Sequence, residues 1–233
     1  FREGIHTGDN NTFLRYWWEV SWSKVSLSED GYNSIDRNQV KWIPYNKGGT
    51  PVRWYGGNEW VISFDRKSRD AMEKLSGHVR PSQGFYFKEG ATWPDVSSGK
   101  FGVRYYPNGY LFDAKGPVFV GSYLHRVIAI LNSSIFTYLA SLLMPTLAFK
   151  CGTVRNIPVP NLSHLGSLDS ISNELISIAK ERWDASERSW DFSGFDLVSR
   201  NRSSTLISDL ISKNSVSLLQ QETNFRKIGR AHV

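Results

Sequence analysis

The chain has 233 residues, 40% of them hydrophobic and 14% aromatic, with one cysteine and a formal net charge of +6. That is enough apolar material for a domain of roughly 150 residues with an appendage, or for two small ones. It excludes an intrachain disulfide, and no run reaches the roughly 18–20 apolar residues of a membrane-spanning helix. With nothing resembling a signal peptide, the sequence predicts a soluble cytoplasmic protein without a membrane partner.

Taken in chain order, Thr7–Asn11 reads as an Asx-type turn, and Phe13–Val25 has the aromatic and apolar density of a strand. Glu59–Phe64 alternates and predicts a strand, and Asp65–Leu75 predicts a short exposed helix. Phe85–Lys88 and Phe101–Tyr106 are expected as strands flanking the loop Glu89–Lys100. After the turn Pro107-Asn108-Gly109, Tyr110–Asp113 is expected to pair back as the second arm of a hairpin. From Tyr123 the period changes: Val127, Ile130, Leu131, Ser134, Tyr138 and Leu142 repeat at three and four, predicting a long helix that ends before Pro145. Cys151 reads as a buried, inert thiol. Ile157-Pro158-Val159-Pro160 is extended and marks a domain edge, beyond which Leu168–Ser189 and Ser203–Glu222 read as helices.

The expected fold class is therefore α+β (mixed). A strand-rich domain over residues 1–160, closed by a long packing helix, precedes a helical segment over residues 161–227. Residues 228–233 are what a common sequencing-library adapter encodes and read as a non-native tail, and the chain reads as an internal fragment of something larger.

The charge is segregated. Residues 1–160 hold 19 Lys+Arg against 13 Asp+Glu, whereas residues 161–233 hold nine of each, so the whole excess lies in the first two thirds. That distribution suits a polyanionic partner. Within it, Val40–Asn58 interleaves Lys41, Lys47 and Arg53 with Trp42, Tyr45, Trp54 and Tyr55, uninterrupted by an acid. Cations supply charge for phosphates and rings supply stacking faces, while Gly48-Gly49 and Gly56-Gly57 let backbone approach whatever binds. A hairpin with a solvated basic turn accounts for the same residues.

Several pieces in order carry a resemblance: Gly4-Ile5-His6-Thr7-Gly8-Asp9-Asn10 leading to Phe13-Leu14-Arg15; Lys41-Trp42-Ile43-Pro44-Tyr45-Asn46-Lys47-Gly48-Gly49; Thr92-Trp93-Pro94-Asp95-Val96-Ser97-Ser98-Gly99-Lys100-Phe101; and Leu131-Asn132-Ser133 followed by Pro145-Thr146-Leu147. With Ala179–Asp184 and Ser189–Phe192, they resemble the PglX family, the adenine-specific DNA methyltransferases of BREX phage-defence systems. The resemblance spans roughly residues 3–192. It implies a catalytic Rossmann-like domain upstream, which binds S-adenosyl-L-methionine and carries an Asn-Pro-Pro-Tyr-type motif. Neither a G-x-G-x-x-G loop after a strand nor that motif is readable here. The resemblance thus implies a target recognition domain that itself binds no cofactor or metal and performs no catalysis. Its implied partners are double-stranded DNA, the upstream methyltransferase domain and other phage-defence components.

On this reading the DNA-binding residues are Lys41, Tyr45, Asn46, Lys47, Arg53, Trp54, Ser97, Ser98, Lys100 and Arg104, with Thr7, Gly8 and Asn10 near the target base. A turn in which Arg104 pairs with Asp95 or Asp113 explains part of the same pattern. Trp183 and Trp190, seven residues apart, are expected to pack on the body. Two rivals stay open: the recognition region of a combined restriction endonuclease–methyltransferase, and a non-enzymatic β-rich carbohydrate- or protein-binding module.

Overall fold

A computed structural model describes residues 1–97, 101–144, 148–194 and residue 223. The predicted helix Ser203–Glu222 and the tail at 228–233 lie outside the described residues. A short helix α1 (Asn10–Phe13) leads into β1 (Leu14–Tyr16). Then come α2 (Tyr32–Arg37), β2 (Trp42–Asn46), β3 (Trp60–Ser63), α3 (Arg66–Met72), β4 (Gly90–Thr92), β5 (Arg104–Tyr106), β6 (Leu111–Phe112) and β7 (Val118–Phe119). Helices α4 (Leu124–Leu131), α5 (Ser134–Leu143), α6 (Cys151–Arg155) and α7 (Ser167–Asp184) follow. The α+β expectation holds.

Two sheets organise these strands. One has the order β1-β3-β2-β6, antiparallel except for the parallel β2/β6 pair, and the other is antiparallel β5-β4-β7. The smaller sheet lies between two apolar cores because strand side chains alternate faces. Ala91, Tyr105 and Phe119, which share one register, face the helical core. Tyr106 and Val118 face the core of the larger sheet, with Ile5, Ile43, Ile62 and Phe112. Leu175, Ile176 and Ala179 of α7 belong to the helical core together with Trp93 and Ile128, so one core runs across residue 160.

Four expectations are corrected. Phe13–Val25 is a strand only over Leu14–Tyr16 and continues as two 3-10 turns, Trp17–Glu19 and Trp22–Lys24. Glu19 folds back to accept from the Tyr16 amide at 2.9 Å, which turns the chain out of the sheet. Phe85–Lys88 is not a strand: Gln83–Phe85 is a 3-10 turn, and Phe87 pairs its amide with the Tyr110 carbonyl. The same bond draws Tyr110 away from a hairpin. Tyr110–Asp113 is buried throughout rather than alternating, so it enters the larger sheet beside β2 instead of pairing back on β5.

The predicted long helix is two, α4 and α5, bent by 67°. The break is built by two adjacent side chains. The Asn132 amide donates to the Val103 carbonyl (2.8 Å) and accepts from the Val103 amide (2.9 Å), acting as a missing strand partner in the interior. Ser133 then caps α5 by accepting from the Phe136 amide at 3.0 Å. Among the described residues no single helix is long and apolar enough to cross a membrane. The two C-terminal tryptophans dock separately: Trp183 lies on Gly56 beside the helical core, and Trp190 lies 6.0 Å from Tyr110 in the other core. Lys180, ion-paired with Asp184 and Asp191, links these two stretches. Cys151 is half-buried at the start of α6, and burial raises its thiol pKa.

Candidate nucleic-acid interface

The amino-terminal loop is built around a cap. Asp9 accepts from the amides of Asn11 (3.0 Å) and Thr12 (3.2 Å) and from the Thr12 hydroxyl (2.6 Å), which opens α1 and holds the Asp9 carboxyl below its usual pKa. Thr7 donates to the Asn10 side chain at 2.7 Å. Gly8 adopts φ +81°, and a Cβ there would lie 2.9 Å from Leu75 Cβ, so this loop is seated on the turn that follows α3. His6 is bridged to Val79 through both backbone groups. The Asx turn read from the sequence is present, and Asp9 is its cap.

Thr7, Gly8 and Asn10 line a cleft of about 360 Å³. His6, Ser76, Gly77, Lys47, Asp113 and Lys115 complete its lining. Lys47 and Lys115, far apart in the chain, meet here because two backbones cross in close contact. A Cβ on Gly48 would sit 2.1 Å from the Lys115 carbonyl oxygen. The approach that Gly48 permits is therefore to the protein's own chain, and its effect is to hold Lys47 and Lys115 side by side.

Lys115 was not among the DNA-binding residues singled out in the sequence, and Asp95, its anchor, stood there as a partner for Arg104. Lys115 is exposed and ion-pairs at 3.2 Å with the buried Asp95. Asp113 is buried and accepts from the Lys115 amide at 3.2 Å. Desolvation raises its pKa, opposed by that hydrogen bond and by the nearby Lys47 and His6. The acid-free run after Asp113 was the available signal for Lys115.

The other predicted contacts divide. Lys41 is exposed, with its ammonium 5.2 Å from the Trp42 ring, and Arg53 is exposed. Lys47 lies 4.1 Å from the Trp60 ring centroid. Ser98 and Lys100 lie outside the described residues, and Ser97 is buried. Tyr45, Asn46, Trp54 and Arg104 are corrections, because all four are interior, at 2%, 2%, 6% and 3% exposure, and Thr7 is equally interior at 3%. Alternation along β2 turns Tyr45 inward, where its hydroxyl donates to the Ile5 carbonyl at 3.0 Å. Trp54, at φ +70°, is locked by its amide to Val103 and by its carbonyl to the Tyr105 amide.

Arg104 does not pair with Asp95 or Asp113. It donates to the Lys47 carbonyl at 3.1 Å, and burial lowers its pKa to about 10. It braces the backbone that carries Lys47. Gly56 likewise approaches Trp183 rather than a ligand.

Other rings occupy the surface instead. Trp18 and Trp22 are exposed, and Trp18 stacks on Tyr16 at 4.7 Å with the planes 5° apart. Tyr16 in turn lies 4.1 Å from Trp60. Their only sequence signal was the density of tryptophans before Val61.

No family model matches the chain. Two curated proteins do. The adenine-specific methyltransferase PglX of Lacticaseibacillus casei (strain Zhang) is 36% identical over 203 residues, covering 82% of this chain. The adenine-specific methyltransferase BrxX of Escherichia coli O9:H4 (strain HS) is 34% identical over 202 residues, covering 84%. The matched stretch is 16% of each relative's length. The chain is therefore a PglX-like segment, corresponding to one part of these adenine-specific methyltransferases.

Proposed function

We propose that this segment recognises the DNA target for an adenine-specific methyltransferase acting in phage defence. The observation that carries the reading is the cleft where the Thr7–Asn10 loop meets Lys47 and Lys115. Two ammonium groups on crossing loops supply charge for a nucleic-acid backbone, and the exposed Asn10, held by the buried Thr7, supplies polar groups that a base edge requires. Lys41, Arg53 and, from its sequence position, Lys100 extend the phosphate contacts. Tyr45, Asn46, Trp54 and Arg104 form the rigid frame behind them.

S-adenosyl-L-methionine belongs to the catalytic domain of the same protein, which is a partner of this segment together with double-stranded DNA and other defence components in the cytoplasm. The cleft does not fit that donor. Its sulfonium centre is cationic, and Lys47 and Lys115 repel it. The work of these residues is to bind and orient DNA so that the adenine reaches the catalytic domain.

The test is fluorescence anisotropy of a labelled duplex with the full chain across a salt series. Affinity is expected to fall steeply with salt, and Lys47→Ala to reduce the slope of log K against log salt by about one. Salt-insensitive binding, or an unchanged slope in Lys47→Ala, rejects the reading and favours a carbohydrate- or protein-binding module.

A further inference from the structure

Three rings in contact, Trp60 tilted on Tyr16 and Tyr16 stacked on Trp18, connect the cleft to the surface. Lys47 continues the inward alternation of Ile43 and Tyr45 along β2, yet it lies past the core edge and rests on Trp60 at 4.1 Å. Trp60 and Tyr16 are register partners in β3 and β1, so their rings meet across the strands at 4.1 Å. Trp18, on the 3-10 turn after β1, adds a parallel layer on Tyr16 at 4.7 Å. Trp18 is the last parallel layer and is 47% exposed.

Tyr16 covers one face of this indole and the Trp17 ring meets it at 5.7 Å in a T-shaped contact, with close to half of the residue left to solvent. The turn is held rigidly. Trp17 donates its ring N–H to the Arg188 carbonyl at 2.9 Å and its amide is accepted by the Glu59 carbonyl at 2.9 Å. Glu19, the one acid between Trp17 and Lys24, is engaged as the cap of the turn. The open ring is thus preorganised, flat and continuous with a cationic cleft. A nucleobase gains stacking on such a ring while its phosphate gains a cationic partner in the cleft.

Building on the DNA-recognition reading above, we infer that Trp18 is a stacking platform for a single unpaired base of the bound DNA, extending the Trp60–Tyr16–Trp18 column. The platform separates such a base from its neighbours and keeps it stacked, while Lys47 holds the adjacent backbone. Unpaired bases are favoured over paired ones because a base inside a duplex has both faces covered already.

The experiment titrates the full chain with two labelled duplexes, one fully paired and one with a single bulged adenine, reading anisotropy and tryptophan quenching. Wild-type protein is expected to bind the bulged duplex about tenfold more tightly, with Trp18→Ala losing that preference and Trp18→Phe keeping most of it. Thermal melts of the variants establish that they are folded. Equal binding of the two duplexes by wild-type protein overturns the inference, as does a preference that survives in Trp18→Ala. In either case a salt-dependent loss in Lys47→Ala leaves the DNA-recognition reading standing. Absence of binding to both duplexes at low salt overturns the two together.

Discussion

Two aromatic-rich segments of this chain have opposite fates. Between Trp42 and Trp60 the tyrosines and Trp54 turn inward, whereas between Tyr16 and Trp22 the rings of Trp18 and Trp22 turn out. The first segment is hydrogen-bonded on both sides, by β3 and β6 along β2 and by β5 next to Trp54. A chain flanked on both edges has one face for each core, and its large side chains fill them. The second segment leaves the edge of the sheet after Tyr16 and closes on itself in 3-10 turns, so its rings have no opposing layer. Clustered aromatics say that a segment is rich in adhesive groups. Strand pairing decides which way they point.

The comparison is most directly broken at Trp54. Trp54→Ala is expected to destabilise the fold by about 3–5 kcal/mol through the cavity it leaves, measured by urea unfolding, while Trp22→Ala changes stability by less than about 1 kcal/mol. Comparable losses at the two positions would show that the outward segment is packed after all. Asn132→Ala tests the frame behind the first segment. It leaves the Val103 amide and carbonyl unpaired in the interior, an expected loss of about 2–4 kcal/mol. The strand carrying Arg104 should loosen with it, visible as faster amide exchange at Val103 and Tyr105.

A smaller effect sharpens the picture at the cleft, where the inner segment ends. Burial raises the Asp113 pKa, so the wild-type fold is favoured when this carboxyl is protonated and loses that contribution as pH rises through the folded pKa. Asp113→Asn should therefore match wild type at about pH 3 and melt a few degrees higher at about pH 7. It should also bind duplex DNA more tightly by about threefold, since one negative charge leaves the cleft. A melting difference that is largest in acid would contradict the assignment.

Much of the fold was legible. The strand at Glu59–Phe64, the charged helix after Asp65 and the helix beginning near Leu168 follow from local period and capping residues, and all three are present. The order of motifs that resembles PglX agrees with the two curated relatives. The break at Asn132 was not legible, because the apolar repeat continues through it and its cause is the backbone of Val103, 29 positions away. The cleft was half legible: Thr7, Gly8, Asn10 and Lys47 were singled out, but nothing local places Lys115 beside them.

The amino-acid sequence by itself determined the mixed fold class, the basic bias of the first two thirds and the kinship of the segment, since each depends on composition, local period or motif order. Tertiary structure alone decided which cations and rings reach the surface. Exposure depends on strand pairing and on contacts such as Gly48 against Lys115, made between residues whose separation along the chain carries no information about their separation in space.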